Sequence, residues 1–245
     1  MMSCWRRASR PIRGVRATRL LSGPFGLLVL LLVCPTWAVF AEQNVNPGIN
    51  HNYVDPDVSQ WRGVFERDGR EVWDRRDDII RELRLRPGQR VADVGAGTGF
   101  FTLMMARAVG SSGHVYAVDI ARNFVNSVVG RARDDGLGNV SGVVNDQRGV
   151  GLPVGSVDLV FVSDTYHHFE YPRSMLASIH AALVPGGELV VIDFRREPGR
   201  SNPWVMRHVR AGEAEVTAEI EAAGFALREH PEFMQGQYFL RFVRN

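Results

Sequence analysis

Two groups of residues in this 245-residue chain could do chemistry. The first is a glycine-rich turn, Gly95-Ala96-Gly97-Thr98-Gly99, which follows Asp93 at the end of a short apolar run. The second is the pair His167 and His168, which comes shortly after Asp164. Glycines let the backbone approach a ligand closely, and the N–H groups at the start of a helix then point at that ligand. The turn therefore predicts a site for an adenosine-containing cofactor.

The two histidines follow a predicted strand at 157–162, in a loop where a parallel α/β sheet binds its ligands. A neutral imidazole accepts a proton near neutral pH, so His167 and His168 are candidates for the catalytic base. The alternative is that one histidine packs or binds the backbone and positions the next helix. We do not expect a metal site, because adjacent residues rarely converge on one ion and the sequence shows no further ligand cluster.

Alternating apolar runs and amphipathic stretches predict the elements that position these residues. An alternation of strands with helices is typical of a parallel sheet that has helices on both faces. The predicted strands are 91–94, 115–119, 140–144, 157–162, a fifth after Pro185-Gly186-Gly187, and a final pair at 225–230 and 238–243.

Asp119 ends the second predicted strand, 20 residues after Gly99, and precedes Ile120. An acid at this place accepts hydrogen bonds from the two ribose hydroxyls of a nucleoside. A helix N-cap is the alternative. The position supports nucleoside binding without selecting a reaction.

Two amphipathic helices are predicted before the first strand. Their aromatic residues Trp61, Phe65 and Trp73 either wall a substrate pocket or pack in the core. The segment 195–210, which contains prolines and a glycine, is predicted to be a long loop on the same side of the sheet that shapes the substrate pocket.

The strand-end Asp93, the spacing Gly95-x-Gly97-x-Gly99 and the run from Leu183 to Asp193 resemble the class I S-adenosylmethionine-dependent methyltransferases. The similarity is to the small-molecule type found in ubiquinone and menaquinone biosynthesis, and it covers about 57–245. It implies an α/β, Rossmann-like doubly wound sheet, mostly parallel with an antiparallel C-terminal edge strand and with helices on both faces. The implied cofactor is S-adenosyl-L-methionine.

The resemblance also implies roles for individual residues. In this family the acid at Asp93 contacts the methionine end, and an acid after the third strand receives the adenine amino group. Asp146 falls there, with the choice between Asp146 and Gln147 left open; the alternative is that Asp146 is a plain turn acid. The implied cofactor-binding residues are Asp93, Gly95, Ala96, Gly97, Thr98, Gly99, Asp119, Ile120, Asp146, Gln147 and Asp164, with His167 and His168 at the acceptor.

The acceptor is expected to be a small molecule. Family members that modify DNA or protein amides carry Asn/Asp-Pro-Pro-Tyr after the fourth strand, and this chain has Ser163-Asp164-Thr165-Tyr166 instead. Two other functions stay open. One is a nicotinamide oxidoreductase, which is disfavoured by Asp93 and by Phe100 at the third glycine position of the dinucleotide fingerprint. The other is an exported adenosyl-ligand-binding domain without catalysis.

Residues 1–41 have the composition of a targeting segment. They hold six arginines and no acid, followed by the apolar stretch Leu20 to Val33 and by Ala38-Val39-Phe40-Ala41. This order predicts a signal peptide that is cleaved after Ala41, or a membrane anchor if it is not cleaved. We therefore expect a periplasmic or membrane-anchored protein, with a mitochondrial presequence as the alternative.

The expected organisation is a leader at 1–41, a linker or arm at 42–56 and the domain at 57–245. Both cysteines, Cys4 and Cys34, lie in the leader, which leaves 42–245 without disulfides or cysteine metal ligands. The full chain carries +2 and the leader's six arginines account for +6, so 42–245 carries −4. This charge argues against nucleic acid as substrate.

Overall fold

The computed structural model describes residues 41–245, so most of the predicted leader and both cysteines lie outside the described residues. Among residues 41–245, no helix is long and apolar enough to cross a membrane.

The described residues form a seven-stranded sheet. Its strands are β1 (Arg90–Val94), β2 (His114–Asp119), β3 (Val140–Val144), β4 (Val157–Ser163), β5 (Leu183–Phe194), β6 (Phe225–Glu229) and β7 (Gln237–Arg244). The order across the sheet is β3-β2-β1-β4-β5-β7-β6, and the first five strands are parallel. The antiparallel strand β7 lies between β5 and the edge strand β6. The predicted doubly wound, mostly parallel sheet is confirmed.

The helices precede and connect these strands. They are α1 (Val58–Phe65), α2 (Glu71–Asp74), α3 (Arg76–Leu83), α4 (Phe100–Val109), α5 (Arg122–Asp134), α6 (Pro172–Ala182), α7 (Pro203–His208) and α8 (Glu213–Ala222). The second predicted N-terminal helix is divided at Arg75, whose φ of −101° and ψ of 14° interrupt the helix. The predicted loop 195–210 contains α7, which begins at Pro203 behind the N-cap Asn202.

Strand β4 shows how the sheet supports the site. Val160 and Val162 pack in one hydrophobic cluster, and Leu159 and Phe161 pack in the other. This alternation follows the two-residue period of a strand whose two faces are both covered by helices. The loop after β4, which holds the paired histidines, therefore starts from a fully buried strand.

Residues 42–56 lie against the domain. The Glu42 carboxylate accepts hydrogen bonds from the backbone N–H groups of Arg173 and Ser174, at 2.7 and 2.8 Å. These groups are unsatisfied donors in the first turn of α6, so Glu42 caps that helix. A 3-10 helix at His51–Tyr53 follows and brings the segment to the loop after β4. We call residues 42–56 the N-terminal arm.

The contact between β3 and α5 yields a stability prediction. A Cβ at Gly142 would overlap the Val125 side chain, whereas a Cβ at Gly130 in α5 would meet open space. We expect Gly142→Ala to destabilise the protein by about 1–3 kcal/mol through overpacking. Gly130→Ala should stabilise it by about 0.5–1 kcal/mol because glycine is entropically costly in a helix. Urea unfolding measures both, and equal stabilities would contradict the described packing.

Candidate active site

A cavity of about 880 Å³ lies at the carboxyl ends of β1, β2 and β4, and it collects most of the predicted site residues. Its volume is in the range of small-molecule and cofactor sites. Eleven predicted residues line it: Asp93, Gly95, Ala96, Gly97, Thr98, Asp119, Ile120, Gln147, Asp164, His167 and His168. Gly99 and Asp146 are not among its lining residues.

The glycine-rich turn forms one wall of the cavity. Gly95 and Gly97 have φ angles of 77° and 52°, which residues with a Cβ rarely adopt. A Cβ at Gly95 would overlap the Thr165 side chain. A Cβ at Gly99 would lie 2.5 Å from Val128 Cγ2, so Gly99 serves the packing of α4 on α5 rather than the cavity.

Asp119 is held at the end of β2 by backbone donors. Gly97 N–H and Ala121 N–H donate to its two carboxylate oxygens, at 2.8 and 2.9 Å. Burial raises the pKa of Asp119 to about 6, although both hydrogen bonds favour the charged form. The carboxylate has further lone pairs and lines the cavity, so it can accept hydrogen bonds from a ligand.

Asp93 is the penultimate residue of β1 and is still more buried, with 3% exposure. The Thr102 hydroxyl donates to its Oδ2 at 2.5 Å. Burial raises the pKa of Asp93 to about 7, and the nearby Asp119 carboxylate adds to that rise. The ends of two neighbouring strands therefore carry carboxyl groups whose pKa values lie close to neutral pH.

Asp164 follows β4 and forms an ion pair that the sequence analysis did not anticipate. Arg70 Nη2 donates to Asp164 Oδ2 at 2.8 Å, and Gln237 Nε2 donates to the other carboxylate oxygen. Burial raises the pKa of Asp164, and the Arg70 guanidinium opposes that rise. The φ of Asp164 is 49°, an uncommon value that turns the chain sharply after the strand.

The choice between Asp146 and Gln147 is answered by their side-chain directions. Asp146 accepts hydrogen bonds from the backbone N–H groups of Arg148 and Gly149, at 2.7 and 3.0 Å, and so closes its own turn. Gln147 lines the cavity, and its Oε1 accepts from Asn50 Nδ2 at 3.1 Å. Gln147, not Asp146, therefore lines the cavity.

His167 is buried against the end of β5. Because a carboxylate only accepts hydrogen bonds, His167 Nδ1–H donates to Asp193 Oδ1, at 2.8 Å. Asp193 also accepts from the backbone N–H groups of His167 and Phe194, at 3.0 and 2.8 Å. Burial lowers the pKa of His167, but the Asp193 carboxylate outweighs burial and the net direction is upward.

His168 has a different environment. Its Nδ1 is 3.0 Å from Asn50 Oδ1, and Asn50 Nδ2 donates to the His168 carbonyl oxygen, also at 3.0 Å. Burial lowers the pKa of His168 to about 2, and the neighbouring His167 and His208 rings contribute further. His168 is therefore neutral throughout the physiological pH range.

His208 of α7 completes a cluster with the two predicted histidines. One ring nitrogen from each of His167, His168 and His208 lies within 4.8 Å of the others. The ring of His208 stacks on Trp204, with centroids 4.5 Å apart. Sequence analysis placed segment 195–210 near the pocket but gave no reason to single out His208, which lies 40 positions beyond His168.

Aromatic side chains form the wall between the arm and the glycine-rich turn. Tyr53 packs on Trp61 with centroids 4.7 Å apart, and Trp61 packs on Phe65 at 5.1 Å. All three line the cavity, whereas Trp73 packs against Phe100 and does not line it. Of the three aromatic residues considered for the pocket wall, Trp61 and Phe65 therefore line the pocket and Trp73 does not.

Three lining residues carry a buried oxygen that has no hydrogen-bond partner within the described part of the chain. They are Thr98 Oγ1, Ser163 Oγ and Gln237 Oε1. Buried polar groups are normally satisfied, so unpaired ones around a cavity fit a polar ligand with several donors. The cavity is also lined by the Asp119 and Asp93 carboxylates and by the backbone of Gly95 and Gly97. This combination of groups suits an amino-acid nucleoside.

Comparison with known proteins supports this interpretation. Residues 91–187 match the methyltransferase domain family. Ubiquinone/menaquinone biosynthesis C-methyltransferase UbiE of Vibrio campbellii is 36% identical over 112 residues, which cover 45% of this chain and 43% of that protein. Demethylmenaquinone methyltransferase of Geobacillus kaustophilus is 28% identical over 118 residues, covering 48% of this chain and 50% of that protein.

A solved structure is similar over a longer range. The crystal structure of an S-adenosylmethionine-dependent methyltransferase from Aquifex aeolicus is 26% identical, with a TM-score of 0.69, and the match covers 77% of this chain and 99% of that one. The chain spans about half the length of the curated relatives it matches. The shared part is the Rossmann-like methyltransferase fold.

The buried carboxyl of Asp93 generates a prediction about stability. Its pKa rises from 3.8 to about 7 on folding, so the unfolded chain releases this proton first as the pH rises, and stability falls between about pH 4 and 7. We expect Asp93→Asn, which keeps an acceptor for Thr102, to raise the free energy of unfolding at pH 8 by about 1–3 kcal/mol. The gain should shrink toward pH 4.

Urea unfolding at several pH values measures this gain. The exposed Asp134→Asn is the matched control and should change stability little at any pH. A loss of stability in Asp93→Asn at pH 8 would contradict the described burial.

Proposed function

We propose that this protein transfers a methyl group from S-adenosyl-L-methionine to a small-molecule acceptor. The observation that supports it most is the convergence of Asp93, Asp119 and the glycine-rich turn on one cavity that continues to three histidines. The methyltransferase domain match over 91–187 and the similarity to the Aquifex aeolicus enzyme support the same activity.

The cofactor would lie along the carboxyl ends of the strands. Asp119 would accept hydrogen bonds from the two ribose hydroxyls, because its oxygens are already oriented by the N–H groups of Gly97 and Ala121. Gln147 would face the adenine edge, and Asp93 with the Arg70–Asp164 pair would meet the charged methionine end. The excess of carboxylates over cations in this cavity complements a cofactor that supplies an electrophilic methyl group on a positively charged sulfur.

The acceptor would lie between the aromatic wall and the histidines. Tyr53 and Trp61 offer flat apolar faces, and the Tyr53 ring is 5.0 Å from that of His168. Displacement at the methyl carbon needs chiefly alignment and exclusion of water, which such a wall provides. The matched relatives are named for quinone biosynthesis, so phenols and quinols are the first acceptors to screen.

The alternative functions differ in what they predict for this site. A nicotinamide enzyme would use the third glycine position for close packing, and here Phe100 fills it and packs on Trp73 and Phe101. A binding domain without catalysis would hold S-adenosylhomocysteine yet release none from S-adenosylmethionine in an acceptor screen.

The cofactor assignment predicts the effect of removing Asp119. Asp119→Ala should weaken S-adenosylhomocysteine binding by about 1.5–3 kcal/mol, the usual cost of losing hydrogen bonds to a charged group. Affinity of the wild type should also fall as the pH drops through about 6, because protonation removes the acceptor. Titration calorimetry on the full chain measures both effects.

The exposed Asp134→Ala is the control for this experiment and should bind S-adenosylhomocysteine like wild type. Equal affinities of wild type and Asp119→Ala would refute the assignment of Asp119. Binding of NAD but not of S-adenosylhomocysteine would favour the oxidoreductase.

We also propose that the protein is exported, because residues 1–41 contain arginines, then an apolar run and then small residues, in the order typical of a signal peptide. Glu42, the first residue after the predicted cleavage site, already caps α6, so cleavage there would leave the described contacts intact. Mass spectrometry of the protein from its native host should find Glu42 as the N-terminal residue. A chain that starts at Met1 in the soluble cytoplasmic fraction would refute export.

A further inference from the structure

Three histidines bring ring nitrogens close together in the lining of the cavity. The ring centroids of His167, His168 and His208 are 4.3 to 5.3 Å apart, and one nitrogen from each lies within 4.8 Å of the others. Within residues 41–245 this is the one group of this kind. All three residues line the cavity, so the point between them is open to a ligand.

The surrounding hydrogen bonds prepare two of these rings as ligands. His167 Nδ1 is bound to Asp193, and His168 Nδ1 is bound to Asn50, which leaves Nε2 as the unengaged nitrogen of each. Metal-binding histidines typically donate their other N–H to a carboxylate or carbonyl, which fixes the tautomer and the ring orientation. Asp193 and Asn50, 1% and 6% exposed, are such outer partners.

We propose that His167, His168 and His208 bind a divalent transition-metal ion at the acceptor end of the cavity. Three neutral imidazoles without a coordinating carboxylate suit Zn²⁺ or a neighbouring transition metal and not Mg²⁺ or Ca²⁺. Tetrahedral binding at Zn–N lengths of about 2.0–2.1 Å requires nitrogens about 3.3 Å apart. Closing from 4.8 Å to that spacing moves each ring by about 1 Å.

Three protein ligands leave one coordination position open, as in catalytic zinc sites. We assign that position to the acceptor, so this part of the inference rests on the proposed function. An acceptor with an acidic hydroxyl, such as a phenol or enol, would bind the ion through oxygen and release its proton to water. The metal would make that oxygen a nucleophile at neutral pH.

The methyl transfer then consumes only the acceptor and S-adenosyl-L-methionine. The acceptor oxygen forms a bond to the methyl carbon as the carbon–sulfur bond breaks, and the electron pair of that bond stays on sulfur. The products are a methyl ether and S-adenosylhomocysteine, which is neutral at sulfur. An ether oxygen carries no charge and binds a metal weakly, so the product can leave.

Metal binding is measured first, without cofactor or acceptor. The full chain, without a polyhistidine tag and stripped with a chelator, is titrated with Zn²⁺ against a chromogenic chelator, and with Co²⁺ to follow its visible bands. We expect one equivalent to bind wild type. His208→Ala should lose more than about 100-fold in affinity, beyond the 10–100-fold typical of losing an outer partner.

His114→Ala is the matched control, because His114 is a half-buried histidine at the start of β2, outside the cluster. It should bind Zn²⁺ like wild type. His208→Asn, with a melting curve in chelator, separates ligand loss from loss of folding. Failure of wild type to bind Zn²⁺, or equal affinity of folded His208→Ala, His208→Asn and wild type, would overturn the site.

The two proposals fail separately in this design. Zn²⁺ binding without S-adenosylhomocysteine binding would leave the metal site and refute the methyltransferase. S-adenosylhomocysteine binding without Zn²⁺ binding would refute the metal site and leave the methyltransferase proposal standing. With an acceptor in hand, chelation should lower turnover at least about tenfold and Zn²⁺ should restore it, whereas unchanged turnover would refute the role of the ion in activating the acceptor.

Discussion

The functional end of this protein depends on burying carboxylates at the ends of parallel strands. The carboxyl ends of β1, β2, β4 and β5 carry four acids, one at or next to the last residue of each strand: Asp93, Asp119, Asp164 and Asp193. The apolar residues of these strands pack in both faces of the core. A buried carboxylate is costly unless specific donors satisfy it. Each of the four therefore requires its own partner, and the positions of these partners organise the site.

The partners come from segments far apart in the chain. The Thr102 hydroxyl donates a hydrogen bond to Asp93, and backbone N–H groups donate to Asp119. Arg70 donates to Asp164, and His167 donates to Asp193. Arg70 lies between α1 and α2, so the ion pair with Asp164 ties the N-terminal helices to the loop after β4. The arm is tied to the same loop through the Asn50 amide. The aromatic wall between them is thus held by an ion pair and by amide hydrogen bonds in addition to apolar packing.

The sequence predicted the parts of this arrangement that local pattern determines. Strand alternation, the glycine spacing before Gly99 and the acid at Asp119 all follow from residue type and short-range distance along the chain. Arg70, Asn50 and His208 could not be predicted in the same way, because each reaches the cavity only through long-range packing. The short helix α7 was missed within a loop, and so was the histidine at its end.

Long-range packing also explains why the sequence alone did not decide which residue after β3 lines the cavity. Asp146 and Gln147 are equivalent in sequence, since either could follow a strand and face a ligand. Two backbone N–H groups in the next turn bind the Asp146 carboxylate, and only the folded backbone shows that they converge on it. A short acidic side chain beside free N–H donors tends to close its own turn. The longer amide of Gln147 is then left to face the cavity.

The two ends of the cavity differ in how they handle charge. At the cofactor end, Asp93 and Asp119 provide negative charge that a cationic ligand would stabilise. At the other end, three imidazoles packed 4.3 to 5.3 Å apart cannot all be protonated. Burial lowers the pKa of His168 and His208, whereas at His167 the Asp193 carboxylate outweighs burial and raises the pKa. Methyl transfer from a sulfonium to a hydroxyl removes a positive charge from sulfur and releases a proton. A cluster of imidazoles beside the acceptor, whether it binds that proton or a metal ion, lies where the positive charge must leave.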